Sequence, residues 1–180
     1  MNVSCAKPDA ALRQVNAAID LLFKDGDPLA VRTLAAAGQG ILADLLEHKS
    51  PGQSWRSHML DSSGLTRKAA QKLMNAAQNF LKHADLDPTA TLSFDEEEND
   101  HLLFMATLEC GSLGHKLSLP MQAFQIWYLA AHPSSIGHES EVVVKSKQAF
   151  PHLESLPRRQ QLACGFAFLR ETAEKYANNA

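Results

Sequence analysis

Residues 10–49, AALRQVNAAIDLLFKDGDPLAVRTLAAAGQGILADLLEHK, decide the fold class. In the first half Leu12, Val15, Ala18, Ile19 and Leu22 recur at helical spacing, and Pro8 ahead of them is tolerated in a first helical turn. A helix from Pro8 to Lys24 is therefore predicted. The DGDP that follows ends one helix and starts the next: Gly26 suits the left-handed conformation of a helix terminus, Asp27 an N-cap, and Pro28 a first helical position. Two helices joined so closely form a tight hairpin. In the second, Leu34, Ala37, Ile41 and Leu45 share a face that Leu42 and Leu46 widen. Its middle, Ala35 to Gly40, has almost no side-chain bulk. Each glycine there costs about 1 kcal/mol relative to alanine, so another helix is expected to cross at close range. AGQG is not a phosphate loop, because its glycines sit inside a helix with no strand before them.

Working outward, Ser50-Pro51-Gly52 stops this helix, and QSWRSHMLDSSG reads as a short helix or irregular connection anchored by Trp55, Met59 and Leu60. Arg56 and His58 read as a solvated pair. Thr66 opens a central helix within LTRKAAQKLMNAAQNFLKHADLDP, residues 65–88, with Ala69, Leu73, Ala76, Ala77 and Phe80 as its apolar stripe. Asn75, Asn79 and His83, four apart, lie in one row beside it. The end of this stretch carries the densest polar cluster in the chain: Asn79, Lys82, His83, Asp85 and Asp87.

The acidic run DEEEND at 95–100 precedes Leu102, Met105, Leu108 and Leu113, and complements the dipole at the start of a helix with those residues as its stripe. It lacks the alternating ligands and glycine of a calcium loop. Pro120 starts a helix whose Phe124, Trp127 and Tyr128 form an aromatic core face, stopped at Pro133. Val142 to Val144 suit either a strand or a short buried helix beside a loop at Gly137. Pro157 opens a closing amphipathic helix through Leu162, Gly165, Phe166 and Leu169. The sum is an all-α, single-domain bundle over residues 1–180, of roughly six to eight helices, with an N-terminal helical hairpin.

Composition agrees with that class. With 180 residues, 45% hydrophobic and 21% charged, the chain can bury a core without disulfide or metal support. A net charge of -3 excludes a protein that coats nucleic acid through a global positive field. Cys5, Cys110 and Cys164 form no CxxC pair, the eight histidines are dispersed, and the start MNVSCAKPDAALRQ has no apolar signal region. No stretch reads as a run of roughly 18 apolar residues. A cytoplasmic protein without a membrane segment is expected.

No nucleophile elbow or cysteine-protease context is present. Metal sites in bundles use Glu-x-x-His or His-x-x-x-His arrangements on facing helices, and the chain is read as carrying neither. Glu47-His48 and Asp100-His101 are adjacent and diverge on a helix. His83-x-Asp85-x-Asp87 would ligate a metal only in an extended chain. Its plainer reading has both aspartates turning the loop while His83 meets the negative end of the helix dipole. Neither a metal nor a cofactor is implied.

QNFLKHAD at 78–85, following AIDLLFKDGDPLAVRTLAAAGQGILADL, resembles an uncharacterised, chiefly proteobacterial, all-helical family with a central NFxKHADxDP segment. The resemblance implies a fold class and no activity. A more distant resemblance is to the HEPN superfamily, helical bundles whose ribonuclease members carry Arg-Asn, three intervening residues and His near a dimer interface. Asn79 and His83 match, but Gln78 stands at the arginine position. Neutral Gln cannot hold a scissile phosphate as arginine does, so the resemblance implies a weak or non-catalytic member.

The leading expectation is a regulatory or protein-interaction protein, with a protein partner or a second copy of itself and without enzymatic activity. The alternative is a metal-independent ribonuclease with His83 as acid or base, Asn79 orienting it, and Lys82 with Arg67 or Lys68 drawing in RNA; Asn75, Asp85 and Asp87 would then line the binding surface. A second alternative is a small-molecule pocket among Trp55, Trp127 and Tyr128.

Overall fold

The computed structural model describes every residue except 1, 84, 86, 87, 179 and 180. Among the described residues the chain forms nine α-helices and no strand, an all-helical bundle. The first two, α1 (Lys7–Phe23) and α2 (Pro28–Lys49), make the hairpin that the sequence predicts, to within one residue at each end of α1. Asp27 caps α2 as expected: its Oδ1 accepts from Leu29 N at 2.8 Å and Ala30 N at 3.0 Å. Asp27→Ala is expected to cost about 1 kcal/mol, seen as a melting temperature lower by about 2–4 °C in a calorimetric scan.

The hairpin departs from its prediction in one respect. Asp25, with φ 55°, takes the left-handed conformation assigned to Gly26. Gly26 is needed for space instead, since a Cβ there would lie 2.4 Å from Leu21 Cδ1. The close crossing is found at Gly38, where a Cβ would stand 2.7 Å from Val15 Cγ2 and 3.1 Å from the Ala11 carbonyl oxygen. Gly40 serves another purpose, because nothing lies within 4 Å of where its Cβ would be.

Helix α2 packs between α1 and α6 (Glu98–Ser112). By length and composition it could cross a membrane, but half of that window is buried inside the protein. Its buried face is rotated from the predicted one. Val31, Ala35, Leu42, Ala43 and Leu46 are buried together with Arg32 and Gln39, whereas Leu34, Ala37, Ile41 and Leu45 are only partly covered.

The second half is built on α7 (Leu119–Ala131), which packs against α1, α8 (Glu141–Ala149) and α9 (Arg158–Asn178). Ser118, two residues before the predicted start at Pro120, caps it by accepting from Met121 N. Its aromatic face is core, as expected: Phe124 and Trp127 are fully buried, and the Phe23 ring meets Trp127 edge-on with centroids 5.4 Å apart. Gly165 lets α9 approach, since a Cβ there would lie 2.4 Å from that same Phe23 ring. The ambiguous Val142 to Val144 segment is helical, and only Val143 of the three is buried.

The predicted central helix is two short ones, α4 (Arg67–Met74) and α5 (Ala76–Phe80), broken at Asn75, whose φ of -91° and ψ of 0° depart from helical geometry. Thr66 does cap α4, but Leu73, assigned to the apolar stripe, is 70% exposed. With α3 (Trp55–Ser62), these helices form a lightly packed layer in which only Ser57, Leu60, Ala70 and Ala77 are buried.

Candidate functional site

Along α6 the predicted stripe lies at the edge of the core rather than at its centre, with Leu102, Leu108 and Leu113 packed against it. The core takes Leu103, Phe104, Ala106, Thr107 and Cys110, whereas Leu102, Met105 and Leu108 are only partly buried. They line a cleft under the α3–α5 layer, made of three adjoining hollows that share lining residues.

The widest hollow, about 510 Å³, is apolar and aromatic: Trp55, Met59, Met105 and Leu108 face Phe104 and Tyr128, whose rings stack at 4.0 Å. Trp55 and Met59 are 41% and 43% exposed, so they rim this space rather than anchoring α3 to the core as expected. The anchor is Leu60, with a polar cap on α3 in which Glu47 accepts from the Ser54 and Ser57 hydroxyls and from Gly52 N. Those bonds hold the Glu47 carboxyl down at about 2.

The polar groups at the aromatic end come from three elements. His101 Nδ1 lies 2.7 Å from the Tyr128 hydroxyl, which donates to Ser135 Oγ at 3.1 Å. In a neutral His101 one ring nitrogen donates and the other accepts, so the contact with Tyr128 can run in either direction. Burial, and then the neighbouring His132, keep the His101 pKa below its ordinary value, favouring this neutral form. Burial likewise raises the Tyr128 hydroxyl.

Behind this floor Asp100, fully buried, accepts two bonds from Arg158 at 2.7 and 2.8 Å and lies 2.9 Å from His132 Nε2. The acidic run therefore holds more than a helix signal. Glu96, Glu97 and Asp95 remain exposed at the start of α6, but Asp100 is the buried centre of an ion pair joining α6, the end of α7 and α9. Nothing local to residue 100 announces a partner 58 positions away.

The middle hollow, about 200 Å³, is lined by three methionines, Met59, Met74 and Met105, with Leu102 between them. Glu98 and His101 also line it. They form a Glu-x-x-His spacing, yet no group of three or more His, Cys, Asp or Glu placed to hold a metal occurs among the described residues.

The third hollow, about 210 Å³, is polar. Arg32, Gln39 and Asp44 of α2, Arg56 of α3, and Asn75 and Gln78 surround it, and the bare backbone of Gly40 opens onto it. Arg56, expected to be solvated beside His58, is paired with Asp44, and its side chain is 25% exposed. Beneath them Glu109 is fully buried, with long contacts from Gln39 Nε2 at 3.2 and 3.4 Å and from Arg56 N at 3.5 Å. Burial pushes its carboxyl up to about 7.

Of the polar row and cluster predicted as a site, Asn75 alone among the described residues lines the cleft. Asn79, Lys82, His83 and Asp85 are exposed, and Asp87 lies outside the described residues. The Asn79 carbonyl accepts from His83 N at 3.0 Å as α5 winds out. Arg67, proposed to attract RNA, contacts Asp61 and the Ser57 hydroxyl. Of the three aromatics named for a pocket, Trp55 and Tyr128 share the wide hollow, while Trp127 is core, its Nε1 donating to the Gln161 carbonyl at 2.8 Å. Compared with known proteins, the chain matches no family model, no curated protein and no solved structure.

Proposed function

We propose that the protein is a small-molecule-binding regulatory protein whose ligand lies in the cleft along α6. The observation that carries this is the outward apolar stripe. Leu102 and Leu108 pack against the core yet are only partly buried, as is Met105, and with Trp55 and Met59 their open sides line a concave space. Ligand sites are typically mostly apolar hollows of about 300–1,000 Å³ with a few convergent polar groups, the pattern of the wide hollow and its His101, Tyr128 and Ser135. Methionines adapt to irregular ligands because their side chains are unbranched and polarizable.

The regulatory part rests on α3–α5. With so few buried side chains this layer belongs to the low-stability end of the molecule, so a ligand beneath it orders it. Its exposed Leu65 and Leu73 provide the apolar surface offered to a partner protein.

Trp55 is the built-in reporter, since the other tryptophan is fully buried. Titration with anilinonaphthalene sulfonate is expected to give saturable one-to-one binding, a blue shift of Trp55 emission and slower amide exchange in residues 55–80. Leu108→Trp, which fills the hollow, is expected to abolish all three. Absence of saturable binding to the wild type, or binding unchanged in Leu108→Trp, overturns the proposal.

A further inference from the structure

The polar end of the cleft gathers two poorly solvated arginines, Arg32 and Arg56, around one hollow. Arg32 is 7% exposed, and its Nε has no partner among the described residues. Its other contacts are a long one to Glu98, at 3.3 Å, and the face of Phe94, 5.5 Å from the guanidinium carbon. Arg56 opens onto the same hollow, and Gln39, Asn75 and Gln78 add neutral amide donors.

We propose that this hollow binds the carboxylate of an amphipathic acid whose apolar chain runs past the methionines into the aromatic hollow. This rests on the ligand-binding reading above and adds the ligand's class and direction. The hollows adjoin through shared side chains, the arrangement that an extended molecule would follow: the polar and middle ones share Arg32, Met74 and Leu102, and the middle and aromatic ones share Met59, His101 and Met105. A ligand that fills them must be cation-seeking at one end and greasy along the rest.

Charge balance selects a single negative charge. The Glu98 and Asp44 side chains that partner the two arginines are 49% and 73% exposed, whereas those of Arg32 and Arg56 are 9% and 25% exposed. The acids are therefore well solvated and their cations are not. A carboxylate entering from the cleft meets two poorly solvated guanidinium groups and can take a planar, two-bond geometry on either. A phosphate dianion would add a second charge beside two carboxylates already present, which opposes it. Gly40 permits the approach, since any side chain at that position would project into the open space.

The test measures binding of dodecanoate, dodecanol and dodecyl phosphate to the full chain by Trp55 fluorescence and calorimetry. Dodecanoate is expected to bind about tenfold or more tighter than dodecanol, the factor that a charge-assisted hydrogen bond supplies, and tighter than dodecyl phosphate. Arg56→Gln is expected to weaken the preference for dodecanoate, and Arg56→Gln combined with Arg32→Gln to bring dodecanoate to the level of dodecanol. Gly40→Leu keeps both charges and fills the head position, and is expected to remove the same preference in a folded protein. Equal binding of acid and alcohol, or an acid preference that survives both the double arginine substitution and Gly40→Leu, overturns the carboxylate assignment and leaves the apolar cleft standing. Stronger binding of the phosphate overturns it too. If none of the three binds saturably, both the assignment and the ligand-binding reading fail.

Discussion

Asp100→Ala is expected to lower stability by about 3–5 kcal/mol, enough to remove a large part of the margin that keeps an ordinary domain folded. The carboxylate is fully buried, so its charge is supported only by what surrounds it. Arg158 holds both oxygens in a two-bond fork, His132 adds a third contact at 2.9 Å, and the guanidinium carbon sits 5.4 Å from the Trp127 ring centroid. Removing the acid strands a cation whose side chain is 16% exposed against the aromatic core. Chemical denaturation with urea measures the loss. The pair itself is not expected to exceed what good apolar packing achieves, because desolvating two charges offsets most of their attraction. Asp100→Leu combined with Arg158→Met should therefore be much more stable than either single change. A loss below about 1 kcal/mol in Asp100→Ala, the range of a surface pair, would mean that Arg158 finds water when the acid is gone. The effect reaches the cleft as well: His132 lies between this pair and the aromatic floor, 5.0 Å from the His101 ring and 4.8 Å from that of Tyr128.

The parts of this structure legible in the sequence are those fixed by neighbours along the chain. Asp27-Pro28 caps α2 because a carboxylate two and three residues before bare N–H groups can reach them, and residues 24–28 say so without help from the fold. The small-residue run in α2 announced a close approach, and α1 makes it at Gly38. Periodicity is less informative about what covers a face. Leu102, Met105 and Leu108 form a real stripe, but α6 is apolar on a second face through Leu103, Ala106 and Cys110, and spacing alone does not say which one meets the core. The stripe read as core lies at its edge, with Leu102 and Leu108 packed against it and their open sides lining the cleft.

The row Asn75, Asn79, His83 shows the opposite error. It assumes an unbroken helix, and the chain leaves helical geometry at Asn75, a residue type whose side chain competes for backbone partners. Asn75 then lies beside the polar hollow while Asn79 and His83 face solvent. The other members of that hollow, Arg32, Gln39 and Arg56, come from two more helices, and a site assembled across elements leaves no spacing to read. Arg32 and Gln39 are seven apart on α2, a two-turn spacing that placed both on one face, but polar residues on a helix ordinarily mark the solvated side.

Glu109→Gln is expected to stabilise the protein at pH 8 by roughly 3 kcal/mol and to change it little at pH 4. The sign follows from burial. The carboxyl titrates near 4.5 when unfolded and is raised to about 7 in the fold, chiefly by burial, with Gln39 and the Arg56 amide opposing. Between those values the folded protein holds a proton that the unfolded chain has released, so acid favours folding. The contribution is fully present below pH 4.5 and is lost as pH rises through 7, beyond which both states are ionised and the slope vanishes. Glutamine keeps the shape and the hydrogen-bonding capacity without the charge, so its urea midpoint should be flat where the wild type falls. Glu47 has the reverse dependence: held at about 2 by the Ser54 and Ser57 hydroxyls, it contributes stability above 4.5 and loses it as pH falls through 2. The wild type is thus expected to be most stable near pH 4.5, between the two windows, so far as these groups decide. A wild-type midpoint that does not fall between pH 5 and 8, or falls equally in Glu109→Gln, would show that water reaches the carboxyl. That result would bear on the cleft directly, because Gln39 and Arg56, the two groups that contact Glu109, also line its polar end.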